Sequence, residues 1–271
     1  MNAPRGSSVL ITGASGRLGT MLRERLGQSG WTLHGFDRSP LPDADPLPMT
    51  VGDVTDPAAL DAAFGAGVAA VVHLAGQPTE AVWQTIRDVN IDGTYQVFEA
   101  ARRHGVQRIV YASSNHAAGF TPRPADGELA ATTASRPDTL YGVSKAFGEA
   151  LGRYYVDRYG FQVANLRIGS CHPQPYDHRG LATWLSPADF TRLVDACLRA
   201  PDLAYETVWG VSANLERWWS LDSAIDYRPE DDASQQGIEV ESKLPTDDLV
   251  GGEFTTPAFG IDEVRAHDRD R

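Results

Sequence analysis

Short, largely apolar runs alternate along this chain with longer stretches in which apolar residues recur every three or four positions. Residues 8–12 (SVLIT), 31–36 (WTLHGF), 50–54 (TVGDV), 69–74 (AAVVHL), 106–112 (VQRIVYA) and 162–168 (QVANLRI) are runs of the first kind. Continuous runs that end at turn residues suit strands buried on both faces of a parallel sheet. Between them lie helical patterns over 20–30, 57–64, 83–103 and 141–159. Another covers 189–199, with Ser186 as its cap and Pro187 at its first position. Thr55 or Asp56 caps the second helix, and a short strand is expected over 206–211. Strand and helix in alternation predict an α/β fold, a doubly wound parallel sheet of the Rossmann kind. The expected division is a flexible arm over 1–7, a core over 8–170, and a small C-terminal substrate-binding region with a tail over 171–271. Past residue 262 the chain reads as frayed, and 117–139 reads as a long proline-bearing loop.

Composition narrows the function classes. A chain of 271 residues with 42% hydrophobic and 22% charged residues is one large soluble domain, or a core with a small lobe. Its formal charge of −12 argues against a nucleic-acid surface, so an anionic substrate needs a local cation. No apolar run approaches the ~20 residues that span a membrane, and no signal peptide is visible. Two cysteines, Cys171 and Cys197, fit a reducing cytoplasm, and no His/Cys spacing suggests a metal.

The candidate chemistry sits at the ends of the predicted strands. Gly13, Gly16 and Gly19 follow the first strand and open a helix. In that context the first glycine allows the tight turn, the second lets a pyrophosphate approach, and the third lets helix pack on strand. Asp37 ends the second strand, where a carboxylate meets the ribose hydroxyls of an adenosine and repels a 2′-phosphate. NAD is therefore favoured over NADP, although Arg38 is the residue type that holds a 2′-phosphate. Asp53 and Val54 would meet the adenine, and Ala75 and Gly76 leave room for the cofactor. Tyr141 and Lys145 stand one turn apart on one helix face. A nearby ammonium favours the phenolate, so Tyr141 could serve as base at a hydroxyl or carbonyl carbon. Ser114 ends the fifth strand, where its hydroxyl could orient the reacting oxygen. Gly13, Asp37, Asp53, Ala75 and Ser114 all fall at carboxyl ends of strands and so converge on one crevice.

The glycine loop, Asp37, Asp53-Val54, His73-Leu74-Ala75-Gly76, Asn90, Ser114 and the Tyr141/Lys145 pair resemble the extended short-chain dehydrogenase/reductase superfamily over residues 8–170. Within it, SSNHAAGFTPR, RPDTLYGVSKAFGE, RIGSCHPQP followed by Arg179, TWLSPADF, VWGVSAN, WW and GGEF closely resemble the uronate dehydrogenase family. The resemblance implies NAD-dependent oxidation of C1 of galacturonate or glucuronate to the aldarolactone. It implies that Arg17 and Leu18 meet the pyrophosphate and that Leu74, Ala75, Gly76, Asn90 and Ser170 belong to the cofactor site. Lys145 would bind the nicotinamide ribose and lower the pKa of Tyr141. Ser114, Asn115 and His116 would bond sugar hydroxyls, Arg179 would hold the C6 carboxylate, and Phe254 would close the pocket. It also implies a homo-oligomer. One position departs: Pro78 stands where family members commonly carry a serine that touches substrate, leaving that contact to Gln77 or a water.

From the residues alone, other readings stand beside these. His116 reads as a structural histidine, Arg179 equally as a surface residue or an anion ligand, Cys171 as packing, and Trp218-Trp219 as core or interface. Two rival functions share the Rossmann half. A nucleotide-sugar epimerase or dehydratase would need a larger C-terminal lobe. A non-catalytic NAD sensor could dispense with Tyr141 or Lys145, and this chain keeps both.

Overall fold

The inner apolar runs become strands because helices cover them on both sides, whereas the edge strand stays partly exposed. The computed structural model describes residues 7–65, 67–239 and 242–260. In chain order the strands are β1 (Ser8–Thr12), β2 (Thr32–Asp37), β3 (Met49–Val51), β4 (Val68–His73), β5 (Arg108–Tyr111), β6 (Gln162–Ile168), β7 (Ser170–Cys171), β8 (Trp184–Leu185) and β9 (Tyr205–Gly210). Seven form one parallel sheet in the order β3-β2-β1-β4-β5-β6-β9, while β7 and β8 pair separately. The third strand is shorter than the pattern suggested and leaves Asp53 in the turn beyond it. The helices are α1 (Arg17–Leu26), α2 (Pro57–Phe64), α3 (Trp83–Thr85), α4 (Gly93–Arg103), α5 (Leu140–Tyr159), α6 (Gly180–Thr183) and α7 (Pro187–Arg199). Between α3 and α4 the turns widen into a π-helical run, Ile86–Asp92.

Alternation within each strand sorts side chains between two layers. Val9 and Ile11 of β1 pack with Leu22 and Leu26 of α1 and with Phe190, Leu193 and Val194 of α7. Leu10 faces the other way, toward Leu60 and Phe64 of α2, Phe98 of α4 and Tyr155 of α5. Each fully buried side chain of this size contributes about 1.5–3 kcal/mol, and these two layers supply the main driving force. Local signals set the helix ends. Asp56 accepts from the N–H groups of Ala58 and Ala59, Thr139 from Gly142, and Ser186 from Asp189.

The chain beyond residue 170 is not a separate unit. Strand β9 pairs with β6 from Val163–Tyr205 to Ile168–Gly210, and α7 packs beside α1. The expected boundary at 170 therefore falls between two strands of one sheet, β6 and β9. What does stand apart is a small third cluster of Ala118, Ala131, Trp209, Val211, Trp218, Trp219 and Val250, in which Trp209 and Trp219 stack at 4.6 Å. The tryptophan pair is core. The loop 117–139 is tied to the sheet through Arg167, which donates to the carbonyls of Ala131 and Thr133 and is held by a buried ion pair to Glu149 of α5 at 2.8 Å. Residues 1–6 of the expected arm, and the tail from 261 on, lie outside the described residues. No helix among the described residues is long and apolar enough to cross a membrane.

Candidate active site

The sheet order reverses between β1 and β4, and the loops beyond their carboxyl ends frame a cleft of about 820 Å³. Of the residues expected at the site, all but Asn90 line this cleft.

The glycine loop is shaped for a dinucleotide. Gly13 has φ +75° and lies so near the β4 end that an added Cβ would stand 2.7 Å from the Ala75 nitrogen. A Cβ on Gly19 would stand 2.3 Å from the Gly13 carbonyl oxygen, so only glycine lets α1 begin there. Gly16 caps α1 without a side chain, and a Cβ there would meet only the Gly13 oxygen, at 3.3 Å. The first turn of α1 thus presents free N–H groups to an anion. Asp37 is held by two backbone donors, Ser15 N to Oδ2 and Ser39 N to Oδ1, both at 3.0 Å. Arg38 is exposed and leans toward Asp53, its Nε 3.9 Å from Oδ2. These features fit NAD.

Asn90 does something other than face the cofactor. Its Oδ1 accepts from Gln77 N at 2.7 Å, and its Nδ2 donates to the Gln77 carbonyl at 3.1 Å and to Ser144 Oγ at 3.0 Å. The π-helical run sets Asn90 against this loop, and π-bulges recur at functional sites for that kind of reason. It clamps the Gly76–Pro78 segment to α5. Glu80 reaches that helix as well. Its Oε2 accepts from Tyr141 N at 2.7 Å, and its carboxylate also bonds the N–H of Leu140.

Tyr141 and Lys145 share a helix face as their spacing requires, and both are buried. Lys145 Nζ donates to the Ala112 carbonyl at 2.8 Å and stands 5.4 Å from the centre of the Tyr141 ring. Burial draws the Lys145 ammonium down to about 8. Burial, and not Lys145, sets the direction in which the Tyr141 pKa moves. Burial pushes the phenol up to about 12, the Ser114 hydrogen bond and Arg17 oppose this, and the Asp138 carboxylate adds to it. Removal from water outweighs a lysine that is itself desolvated and turned to a carbonyl. Cys171 is likewise pushed up to about 12 by burial, which suits packing rather than nucleophilic attack.

The other half of the cleft is built around Arg179, just before α6. Its Nη1 donates to Ser170 Oγ at 3.2 Å and its Nη2 to the Val250 carbonyl at 2.5 Å, while Nε is buried without a partner. Gly252, at φ +59°, packs on the arginine so closely that a Cβ would stand 2.6 Å from its Cδ. Asn115 Nδ2 donates to the same Val250 carbonyl at 2.8 Å. The C-terminal segment is thereby strapped over the site and sets Phe254 against the His116 ring, centroids 4.3 Å apart. His116 in turn bonds Asp138, Nδ1 to Oδ2 at 2.8 Å. Asp138 and Glu80 escaped the sequence reading. Neither has local spacing that points to its partner.

Residues 9–179 match the family described as NAD dependent epimerase/dehydratase. The chain is 42% identical to a uronate dehydrogenase of Agrobacterium fabrum, over 89% of this chain and 91% of the relative. It is also 42% identical to an NAD-dependent glucose-6-phosphate dehydrogenase of Haloferax volcanii, over 86% of this chain and 97% of that one. A crystal structure of uronate dehydrogenase from Agrobacterium tumefaciens, a tyrosine-to-alanine mutant complexed with NAD, superposes with a TM-score of 0.83. That pair shares 39% identity over 92% of this chain and 97% of the other.

Proposed function

Since this chain belongs to the NAD-dependent epimerase/dehydratase family, among the uronate dehydrogenases, we propose that it oxidises C1 of free D-galacturonate or D-glucuronate to the aldarolactone. It is an NAD-dependent oxidoreductase. Bound NAD supplies the hydride acceptor and a positively charged ring. The chain's own residues do the rest. The N-terminus of α1, Arg17 and Leu18 hold the pyrophosphate, Asp37 the adenosine ribose, and Asp53 with Val54 the adenine. Leu74, Ala75, Gly76 and Ser170 line the cofactor, and Lys145 binds the nicotinamide ribose. Ser114 hydrogen-bonds the reacting oxygen, and Tyr141, once its phenol proton has passed to solvent under the positive charge of a bound nicotinamide ring and of Lys145, would receive the C1 hydroxyl proton at Oη. Asn115 and His116 bond ring hydroxyls, and Phe254 shields the reaction from water.

The observation that carries the choice of a uronate is Arg179. It lines the same cleft as Tyr141 and Ser114, and Ser170 and Val250 engage only part of its fork. A planar guanidinium matches a carboxylate bidentately. The Haloferax relative favours a second reading, a hexose 6-phosphate. Asp177, Asp247 and Asp138 crowd Arg179 with negative charge, which suits a monoanion better than a phosphate dianion. Work in the cytoplasm as a homo-oligomer is part of the same proposal. The two cysteines are free and buried, and exposed aromatics on neighbouring helices (Tyr95 of α4, Tyr154 and Tyr159 of α5) offer an interface.

The test is NADH appearance with galacturonate, glucuronate, galactose and glucose 6-phosphate, each with NAD and with NADP. Turnover on the uronates with NAD is the expected result. Preference for glucose 6-phosphate would reassign the substrate. Inactivity on every free sugar would point to nucleotide sugars.

A further inference from the structure

Asp138 directly precedes the Thr139 cap of α5, and its side chain is fully enclosed. Three glycines from three distant segments make the enclosure. An added Cβ on Gly119, Gly142 or Gly251 would stand 2.0, 3.1 or 1.9 Å from a carboxylate oxygen. Inside it the carboxylate has two side-chain partners. Thr139 Oγ1 donates to Oδ1 at 2.9 Å, and His116 Nδ1 lies 2.8 Å from Oδ2. Holding a carboxylate out of water is unfavourable, and the positive end of α5 offsets only part of that.

An asparagine has the same shape and would reach the same two groups. The difference is the direction of the proton. A carboxylate only accepts, so Nδ1 of His116 must carry the hydrogen. A neutral imidazole protonated at Nδ1 presents a bare lone pair at Nε2. An amide NH₂ turned toward Nδ1 would demand the opposite tautomer and make Nε2 a donor. The His116 ring lines the cleft, packed on Phe254 at 4.3 Å and edge-on to Tyr141 at 5.8 Å. The neighbouring Asn115 has its amide NH₂ engaged by Val250.

We infer that Asp138 is a positioning residue that fixes His116 in the Nδ1–H form, so that Nε2 accepts a hydrogen bond from a hydroxyl of the bound sugar. The identity of the sugar rests on the uronate reading, whereas the tautomer does not. The glycine cage keeps the carboxylate from turning to any other partner. Thus Gly119, Gly142 and the strap glycine Gly251 serve the same end.

Two measurements on the full chain decide it. The first is ¹⁵N NMR of histidine-labelled protein, with His116 assigned by its loss in His116→Gln. The wild type should show a neutral ring protonated at Nδ1, and Asp138→Asn should move the proton to Nε2. A wild-type ring protonated at Nε2, or an imidazolium, overturns the inference, and this holds even if Asp138→Asn does not fold. The second is a double-mutant cycle with galacturonate and glucuronate. Asp138→Asn should raise uronate KM about tenfold with a smaller change in kcat and unchanged NAD affinity. In the His116→Gln background it should add almost nothing. An equal loss in that background would show that Asp138 acts on the fold and not through His116. Absence of uronate turnover in the wild type would sink the substrate reading and leave the NMR result to judge the tautomer.

Discussion

Replacing Lys145 by methionine should stabilise the protein while abolishing its activity. Burial draws the ammonium from its ordinary 10.5 to about 8. At about 1.4 kcal/mol per pH unit, carrying that charge costs the folded state about 3 kcal/mol. Below pH 8 folded and unfolded chains are both protonated and the whole cost is present. Between 8 and 10.5 the unfolded chain keeps its proton while the folded one has lost it, so stability rises with pH. Above 10.5 the cost is gone. Methionine is of similar length and uncharged, but it leaves the Ala112 carbonyl without its 2.8 Å donor, a loss of about 1 kcal/mol. Cofactor-free Lys145→Met should therefore be more stable than wild type by about 2 kcal/mol near neutral pH, with the gap closing near pH 9.5 and reversed by about 1 kcal/mol above pH 10.5. The assay is urea unfolding of both proteins at about pH 7 and about pH 9.5, with turnover measured on the same samples. The tyrosines and cysteines that also titrate there are common to both proteins and cancel in the difference. A mutant less stable at neutral pH, or a gap independent of pH, would refute the argument that Lys145 is held charged against a desolvation cost.

Tyr141→Phe removes only the phenol oxygen and should lower kcat by about 10³-fold or more with NAD affinity intact, measured by steady-state turnover and NAD titration. Full activity would remove the tyrosine from the chemistry. Arg179→Ala should raise uronate KM by about 100-fold and lower kcat, the scale of a lost charge-assisted bidentate contact. Unchanged uronate kinetics would place carboxylate recognition elsewhere. Glu80→Ala strips the first turn of α5 of its acceptor at Tyr141 N and should cost about 1 kcal/mol in urea unfolding together with a fall in kcat, whereas Glu80→Gln keeps an acceptor and most of both. Equal losses in the two variants would count against the cap.

The sheet, the limits of β1 and β6 and the cofactor loop were legible in the sequence because each leaves a local trace. A strand covered on both faces is largely apolar, so SVLIT and QVANLRI mark β1 and β6 to the residue. Gly13 needs a positive φ and Gly19 a close approach, and both needs leave glycines at fixed spacing. The pair Tyr141/Lys145 was visible because a helix turns four residues into neighbours. The partners of those residues were not visible. Asp138 meets His116 across the loop 117–137, and its cage draws Gly251 from the far end of the chain. Asn90 turns to Gln77 where the helix widens into π turns, and β9 joins the sheet beside β6 although the expected boundary set it outside the core. The high pKa of Tyr141 also belongs to the tertiary structure, since burial and not helix spacing sets it. Periodicity records which face a residue occupies. What that face meets, and how dry the contact is, depends on how distant segments are brought together, and only the folded chain decides that.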